Sequence, residues 1–200
     1  MALTFRWLLR ILTGLLVLGV LALALLYYFG SRSIPDYTAD HSVRGLNAPL
    51  EIVRNNANVP HIFGETDHDV YFGLGYAHAQ DRLWQMTMMR RTVQGRLSEI
   101  FGARTARIDE LLRRLDLYNL AVQSVSVQTP ETLANLRAYS AGVNAWLQQV
   151  NDEALGRGAP ELFLFSNAIS PWQPADSLAI IKLMGLQLAE IRTLSGGIGI

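Results

Sequence analysis

The sequence predicts an α+β fold that is mostly helical, with one short hairpin of strands, preceded by a helix suited to a membrane. Three patterns lead to this prediction. Nineteen uncharged and mostly apolar residues fill positions 11–29. Residues 50–54 carry the alternation of a short, half-buried strand. From Phe72 onward, apolar residues recur at intervals of three and four, which is the period of an amphipathic helix.

The apolar run is long enough to cross a membrane. As a helix, residues 11–29 would span roughly 28 Å, against about 30 Å for the hydrocarbon core. Arg6 and Arg10 precede the run, so the positive-inside rule places the N-terminus in the cytoplasm and the rest of the chain across the membrane. Two interpretations stay open for residues 1–33, a signal anchor and a cleaved signal peptide. The length of the run and the lack of a small-x-small cleavage site favour an inner-membrane anchor with a periplasmic body; cleavage would make the body a free periplasmic protein.

Composition excludes several classes of function. The 200 residues contain 17 basic and 17 acidic side chains and no cysteine. Without cysteine there is no disulfide scaffold, no cysteine-ligated zinc site and no thiol nucleophile. The balanced charge argues against a nucleic-acid partner, because phosphates favour an excess of Lys and Arg.

Turn chemistry divides the region after the apolar run. Residues 34–48 are rich in Pro, Gly, Asp and Ser, show no apolar period and are predicted to form a linker. The body of the protein is then predicted to occupy residues 49–200. At its start, residues 50–54 and 60–63 flank the asparagine-rich stretch 55–58, and this arrangement predicts a β-hairpin.

The first helix of the body is predicted between Phe72 and Ile100, either unbroken or divided near Gly95. Gly73 and Gly75 weaken its first turns by about 1 kcal/mol each relative to alanine. Their presence in a helix therefore predicts close packing at this point.

Further helices follow. Asp109 is predicted to cap a helix that continues through Leu115. Thr129 is predicted as the N-cap of the next helix, with Pro130 at its first position. The apolar segment 180–188 is predicted to be the last. Two strands and four helices cannot close a sheet of their own, so the body is predicted to be part of a larger domain.

Polar residues interrupt the first of these helices at Gln80, Asp81 and Arg82. A buried charge needs a partner, so an Asp–Arg pair that holds the helix to the sheet is predicted, and a structural role is favoured over a catalytic one. The acids and histidine of residues 67–69 are interpreted as a helix N-terminus rather than a cation site. No phosphate-binding glycine motif, serine-hydrolase motif or metal-binding histidine spacing is present.

Eight short segments between residues 50 and 188 occur in an order that is found in one enzyme family. They are Glu51–Arg54, Val59–Phe63, Gly73–Met86, Arg90–Arg91, Gln94–Arg96, Glu99–Gly102, Tyr139–Trp146 and Trp172–Asp176. On these segments the chain resembles the penicillin acylase family of N-terminal-nucleophile hydrolases, in the α-chain part of the precursor.

The resemblance implies a fold, an activity and a partner. The fold is the four-layer αββα sandwich of these hydrolases, to which this chain would contribute a mostly helical α-chain portion. The activity is hydrolysis of an acyl amide in a small molecule, such as a β-lactam side chain or an acyl-homoserine lactone. Members of the family are made as one precursor that cuts itself in two, so the implied partner is the β chain of the same precursor.

The resemblance places the catalytic groups outside this chain. In the family the β chain begins with a serine whose hydroxyl attacks the amide, and its own α-amino group, with an ordinary pKa of about 7.7–8, acts as the base. That serine follows a glycine and begins a Ser-Asn-Asn-Trp-like run, which does not occur here. No catalytic residue is therefore assigned, and the chain by itself is predicted to be inactive. The oxyanion hole is likewise expected on the β chain.

Two family features are expected near residues 185–195. Acyl-pocket positions are expected at Gly185 and Ala189. An α-chain glutamate that helps to bind calcium in the complete enzyme would fall at Ser195, and because a hydroxyl does not replace a carboxylate, no calcium ligand is assigned. The family pattern is lost over residues 190–200, which leads to the hypothesis of a frameshift or an early stop.

Two alternatives stay beside the acylase hypothesis. One is a membrane-anchored helical binding or scaffold protein, and the other is a non-functional truncated product. A Gly-Ser-Asn-Asn-Trp run encoded some tens of residues downstream would favour the acylase. Without a β chain, the apolar faces of the helices over 72–101 and 133–150 are expected to lie partly exposed.

Overall fold

The computed structural model describes residues 2–152 and 169–196, with the side chains of residues 4–31, 34–152 and 169–188. Its elements in chain order are α1 (Ala2–Ser33), β1 (Glu51–Arg54), β2 (Pro60–Phe63), α2 (Asp67–Val93), α3 (Ser98–Phe101), a 3₁₀ turn (Gly102–Thr105), α4 (Ala106–Leu115), α5 (Leu117–Val125), α6 (Pro130–Asp152) and α7 (Pro174–Gly196). Within the described residues, β1 and β2 form one two-stranded antiparallel sheet. The predicted α+β composition, mostly helical, is confirmed.

Helix α1 contains the predicted membrane helix of residues 11–29 and extends it in both directions. Residues Thr4–Ser31 are the one part of the described chain that is long and apolar enough to cross a membrane, and none of it is buried inside the protein. Length and composition are the only basis for this assignment, and a signal sequence near the N-terminus meets the same criteria.

Asparagines shape the turn of the hairpin. The Asn55 side chain accepts hydrogen bonds from the backbone N–H groups of Ala57 and Val59, at 2.9 and 3.0 Å. Asn58 takes the left-handed conformation, with φ of 59°, which asparagine tolerates better than most residues. The predicted hairpin is confirmed.

Helices α2 and α6 cross antiparallel at two glycines. A Cβ atom on Gly75 would lie 2.0 Å from the carbonyl oxygen of Tyr139. A Cβ atom on Gly142 would lie 1.9 Å from the carbonyl oxygen of Phe72. Neither position accommodates a side chain, because the atoms that the side chain would meet belong to the backbone of the other helix. The close packing predicted at Gly75 is confirmed, and its partner is α6.

The predicted helix of residues 72–100 is divided. α2 ends at Val93, and Gly95 follows with a φ of 62°, in the left-handed region that glycine enters without strain. A side chain at Gly95 would meet the carbonyl oxygen of Asp109 at 2.6 Å. The chain then turns into α3 at Ser98, so the divided form of the prediction is correct.

Asp109 caps a different helix from the one predicted. It lies inside the first turn of α4, which begins at Ala106. Its carboxylate accepts hydrogen bonds from the backbone N–H groups of Leu97 and Ser98 at 2.9 and 2.7 Å, and from the Ser98 hydroxyl. The prediction that Asp109 caps its own helix is wrong, because its side chain satisfies the free N–H groups at the start of α3 instead.

The segment predicted as a linker, residues 34–48, packs on the body. Val43 lies against the main apolar core. The backbone N–H of Asn47 donates to the Asp69 carboxylate at 2.8 Å. Polar and turn-forming composition indicated an irregular backbone here, but the segment lies on the body instead of extending from it.

The apolar faces of α2 and α6 bury each other. Tyr76, Leu83 and Met86 of α2 pack with Val143 and Leu147 of α6 in the main core. The expected partial exposure is found at other apolar positions of these helices, such as Leu74, Met89 and Leu136, which are half-buried, whereas the core positions are covered because each helix packs on the other. Large apolar side chains of α7 are exposed as well, at Ile181, Met184, Leu186 and Leu188.

A buried carboxylate attaches α7 to two other helices. Asp176 lies in the first turn of α7 and is 1% exposed. It accepts hydrogen bonds from the Tyr118 hydroxyl of α5 at 3.0 Å and from the Gln173 backbone N–H at 2.8 Å. It also pairs with Arg90 of α2 at 3.5 Å. Arg90 is itself buried and donates to the carbonyl oxygen of Ser170.

Acid is expected to destabilise the start of α2 through Asp69. This carboxylate is fully buried and accepts hydrogen bonds from the Thr66 hydroxyl and the Asn47 N–H, which hold its pKa below the ordinary value. A carboxyl whose pKa is lowered in the folded state binds fewer protons there than in the unfolded state. Its contribution to the free energy of unfolding is therefore complete above about pH 3.9 and is lost as the pH falls through the folded-state pKa. Chemical unfolding of the full chain between pH 3 and 7 is expected to show this decline. Asp69→Asn should reduce the fall in the free energy of unfolding at low pH. Asp67→Asn, which changes an exposed acid in the same turn, is the matched control and should retain the fall. The same pH dependence in both variants would show that Asp69 is not its source.

Candidate functional site

The motif at residues 80–82 joins α2 to the hairpin. Arg54 of β1 donates from its two terminal nitrogens to the two carboxylate oxygens of Asp81, at 3.0 and 2.9 Å. One of these nitrogens also lies 3.4 Å from the side-chain oxygen of buried Gln80. Two parallel N–H···O bonds fix both distance and orientation, so this pair sets how the sheet sits on the helix.

Tyr37 completes the arrangement from the packed segment 34–48. Its ring lies 3.9 Å from the Arg54 guanidinium carbon, and its hydroxyl donates to Asp81 at 3.3 Å. We call Tyr37, Arg54 and Asp81 the clasp. Arg82, the third residue of the motif, is exposed, and its backbone leaves the helical region with φ of −134° and ψ of 20°.

An apolar groove runs between α2, α6 and α7. Its volume is about 580 Å³. Apolar side chains make up most of its wall, and polar side chains are set among them. The lining residues include Leu74, Met86, Met89, Leu136, Trp172, Ile180 and Ile181, with His78, Tyr139 and Ser177 among the polar ones.

A neutral polar pair lies in this groove. His78 Nδ1 and the Tyr139 hydroxyl are hydrogen bonded at 3.1 Å, with the two rings edge to face. The His78 side chain is exposed, but partial desolvation lowers its pKa from the ordinary value, and burial raises the pKa of Tyr139 to about 12. Both groups are therefore uncharged near pH 7, and the pair offers hydrogen bonds to an incoming amide or backbone group without requiring a buried charge.

The crossing of α2 and α6 explains why these two residues meet. His78 stands three residues after Gly75, and Tyr139 stands three residues before Gly142. In antiparallel helices that touch at the glycines, these offsets bring the two side chains to the same side of the crossing. The crossing at the two glycines brings His78 opposite Tyr139, a contact that the sequence alone did not predict.

The positions expected from the resemblance lie apart from this groove or outside the described side chains. Gly185 is exposed on α7, and a Cβ atom built on it would have no atom within 4 Å. The side chains of Ala189 and Ser195 fall outside the described set. Among the described residues, no group of three or more His, Cys, Asp or Glu side chains lies close enough to hold a metal ion.

Residues 49–195 match the family model of penicillin amidase. The chain belongs to the penicillin amidase family. The resemblance inferred from the eight segments is confirmed, and the matched range takes in the hairpin and α2 through most of α7. It begins after α1 and includes residues 190–195, for which no family pattern was expected.

Relatives of this chain are named as acylases. It is 36% identical over 162 residues to penicillin acylase 2 proenzyme of Pseudomonas sp. (strain SE83), covering 80% of this chain and 20% of that protein. It is 35% identical over 178 residues to the acyl-homoserine lactone acylase QuiP of Pseudomonas putida, covering 88% and 21%. The chain thus spans about a fifth of the length of these curated relatives.

A solved structure supports the same relationship. The thermostable penicillin G acylase from Alcaligenes faecalis matches with a TM-score of 0.63 and 27% sequence identity, over 74% of this chain and 80% of that chain. About three quarters of this chain is therefore similar in fold to a penicillin G acylase chain.

Proposed function

We propose that this chain is the α-chain portion of an exported amidohydrolase whose catalytic serine lies on a β chain cut from the same precursor. The observation that carries this proposal is the family match across residues 49–195. Coverage supports the division into two chains: the matching chain of the solved enzyme is similar in length to this one, whereas the matching proenzyme is about four times as long.

The proposed reaction is acyl transfer to the β-chain serine. The serine hydroxyl adds to the amide carbonyl while its neutral α-amino group accepts the hydroxyl proton. The C–N bond then breaks, the amine leaves with a proton, and water releases the acid from the acyl-enzyme. Penicillins and acyl-homoserine lactones are the substrate classes named for the relatives, and a small-molecule amide of one of these kinds is the proposed substrate here.

In this proposal the groove between α2, α6 and α7 receives part of the β chain. Its wall is apolar, and it continues toward the exposed apolar side chains of α7. Contiguous apolar surface of this kind is typical of a contact with another protein segment. The hairpin supports the same view, since two strands alone make a marginal sheet and further strands alongside them would stabilise it. The four-layer sandwich is proposed to form only in this complex.

Export through α1 completes the proposal. The helix is apolar enough to act as an inner-membrane anchor or as a signal sequence. Either role would deliver the body to the periplasm, where a thiol-free chain has no cysteine to oxidise. Calcium binding in the complete enzyme stays a proposal that rests on the family alone.

The DNA that follows codon 200 provides the first test. We expect a continuous frame, or one restored by a single-base shift, that encodes a Gly-Ser-Asn-Asn-Trp-like run. Expression of that region with this chain should yield two polypeptides, and N-terminal sequencing of the second should begin at the serine. Replacement of that serine by alanine should leave one uncut precursor. Absence of the run from all three frames would overturn the proposal and favour a scaffold or a truncated product.

A further inference from the structure

We infer that the clasp holds the body directly against the membrane surface, with the hairpin turn and Arg82 facing the lipid headgroups. The inference rests on the proposed membrane anchor, and it adds an interaction surface that amide hydrolysis does not require. Its basis is the short distance between the end of α1 and the first fixed point on the body.

The tether between membrane helix and body is very short. α1 ends at Ser33, and the ring of Tyr37 already lies on Arg54. Four residues span at most about 14 Å when fully extended. The body therefore has no room to move away from the end of the helix while the clasp is closed.

The clasp itself is well secured. The Arg54 side chain is only 8% exposed, and besides Asp81 it donates to the carbonyl oxygen of Asn58 in the hairpin turn, at 3.2 Å. A guanidinium stacked on an aromatic ring and paired bidentately with a carboxylate is held in one orientation. Tyr37 is thus fixed to the turn and to α2 at once.

The segment beyond Tyr37 is attached along its length. His41 lies against the Tyr76 ring with centroids 6.2 Å apart, and Val43 packs on the core. Asn47 donates to the buried Asp69. Release of Tyr37 alone would lengthen the free tether from four residues to about eight, which roughly doubles its reach.

The exit of α1 and the hairpin turn share one recess. Its volume is about 450 Å³, and its wall is formed by Ile34, Pro35, Tyr37, Ala57, Asn58, Gln80, Asp81 and Arg82. We call Ile34, Ala57, Asn58 and Arg82 the exit face. Ile34 is 68% exposed and Arg82 is exposed. Two acids lie close to these residues. Asp81 lines the same recess and is paired with Arg54 at 2.9 Å. Asp36 accepts hydrogen bonds from the N–H and hydroxyl of Thr38.

A bilayer with anionic lipids fits the exit face. An exposed basic side chain next to the interface is attracted to anionic headgroups, and an exposed isoleucine favours the boundary with the acyl chains. On α1, Tyr27 and Tyr28 occupy the adjacent turn, where aromatic residues usually mark the level of the headgroups. The exit face is therefore expected at the same depth as the end of the helix.

The absence of cysteine makes a direct test simple. The full chain is reconstituted in vesicles of phosphatidylcholine and phosphatidylglycerol, with one fluorophore on Ala57→Cys or on Ala103→Cys, and lipids with nitroxide headgroups are used as quenchers. Ala103 lies beyond the far end of α2, and the helix from Asp81 to Val93 alone measures about 18 Å. We expect several-fold stronger quenching at position 57 than at position 103.

Opening the clasp should abolish the difference in quenching between positions 57 and 103. Tyr37→Ala is expected to reduce quenching at position 57 to the level of position 103, whereas Tyr37→Phe, which keeps the ring on Arg54, should retain most of it. Equal quenching at both positions in a carbonate-resistant chain would overturn the docking, as would an unchanged signal in Tyr37→Ala with native circular dichroism. Carbonate extraction of the chain would overturn the anchor and the docking together. None of these results bears on amide hydrolysis, so the two proposals fail separately.

Discussion

Gly75→Ala should separate α2 from α6 and destabilise the chain by about 3 kcal/mol or more. The added methyl carbon would begin 2.0 Å from the Tyr139 carbonyl oxygen, and that oxygen is fixed within α6. Relief of the clash requires the helices to move apart by more than 1 Å, which would open the main core along their shared face. Gly142→Ala should have an effect of the same size, because its Cβ would meet the Phe72 carbonyl oxygen at 1.9 Å.

Near-ultraviolet circular dichroism during thermal unfolding of the full chain measures this effect. Gly185→Ala is the matched control, since it lies in α7 with no atom within 4 Å of the new methyl group. It should be neutral or stabilise the helix by up to about 1 kcal/mol, as expected for alanine over glycine. Similar melting temperatures for the Gly75 and Gly185 variants would contradict the close crossing.

Asp176→Ala should cost about 3–5 kcal/mol, because it leaves a buried guanidinium without its carboxylate. Arg90 is 6% exposed and lies with its guanidinium 5.2 Å from the centre of the Trp172 ring, so water cannot replace the missing partner. The Tyr118 hydroxyl loses its acceptor in the same variant. Detachment of α7 from α2 and α5 is the expected structural result, and it should appear as faster amide hydrogen exchange in α7.

An exposed ion pair supplies the control for this variant. Glu110 and Arg114 pair at 2.6 Å on α4, with side chains 62% and 74% exposed. Glu110→Ala should therefore change the free energy of unfolding by less than about 1 kcal/mol. If Asp176→Ala were as mild as this control, Asp176 would not be the attachment point of α7.

Local sequence signals predicted the elements better than their contacts. The hairpin followed from its asparagine turn, because Asn55 bonds to residues two and four positions away. Asp109 was assigned to the wrong helix because a capping side chain takes whichever free N–H groups the tertiary fold brings to it. Residues 34–48 were predicted as a linker from their turn-forming composition. Composition does not reveal tertiary contacts such as the stacking of Tyr37 on the Arg54 guanidinium.

The candidate site was less predictable than the fold for the same reason. Gly75 indicated close packing, but nothing near it in the sequence identified Gly142 as its partner. The pairing of His78 with Tyr139 depends on that crossing, and 61 residues separate the two. The family could be identified from the sequence because the resemblance depends on the order of short segments. The groove could not be predicted in this way, because it forms only where α2, α6 and α7 meet in the fold.

Amide hydrolysis with and without the downstream product tests whether this chain needs a β chain for activity. Release of free amine from penicillin G and from an acyl-homoserine lactone is followed for this chain alone, and for this chain expressed together with the region encoded after codon 200. We expect no release above the blank from the chain alone and turnover of at least one substrate by the combination. Turnover by the chain alone, or a correctly cut combination that hydrolyses neither class of amide, would contradict this expectation.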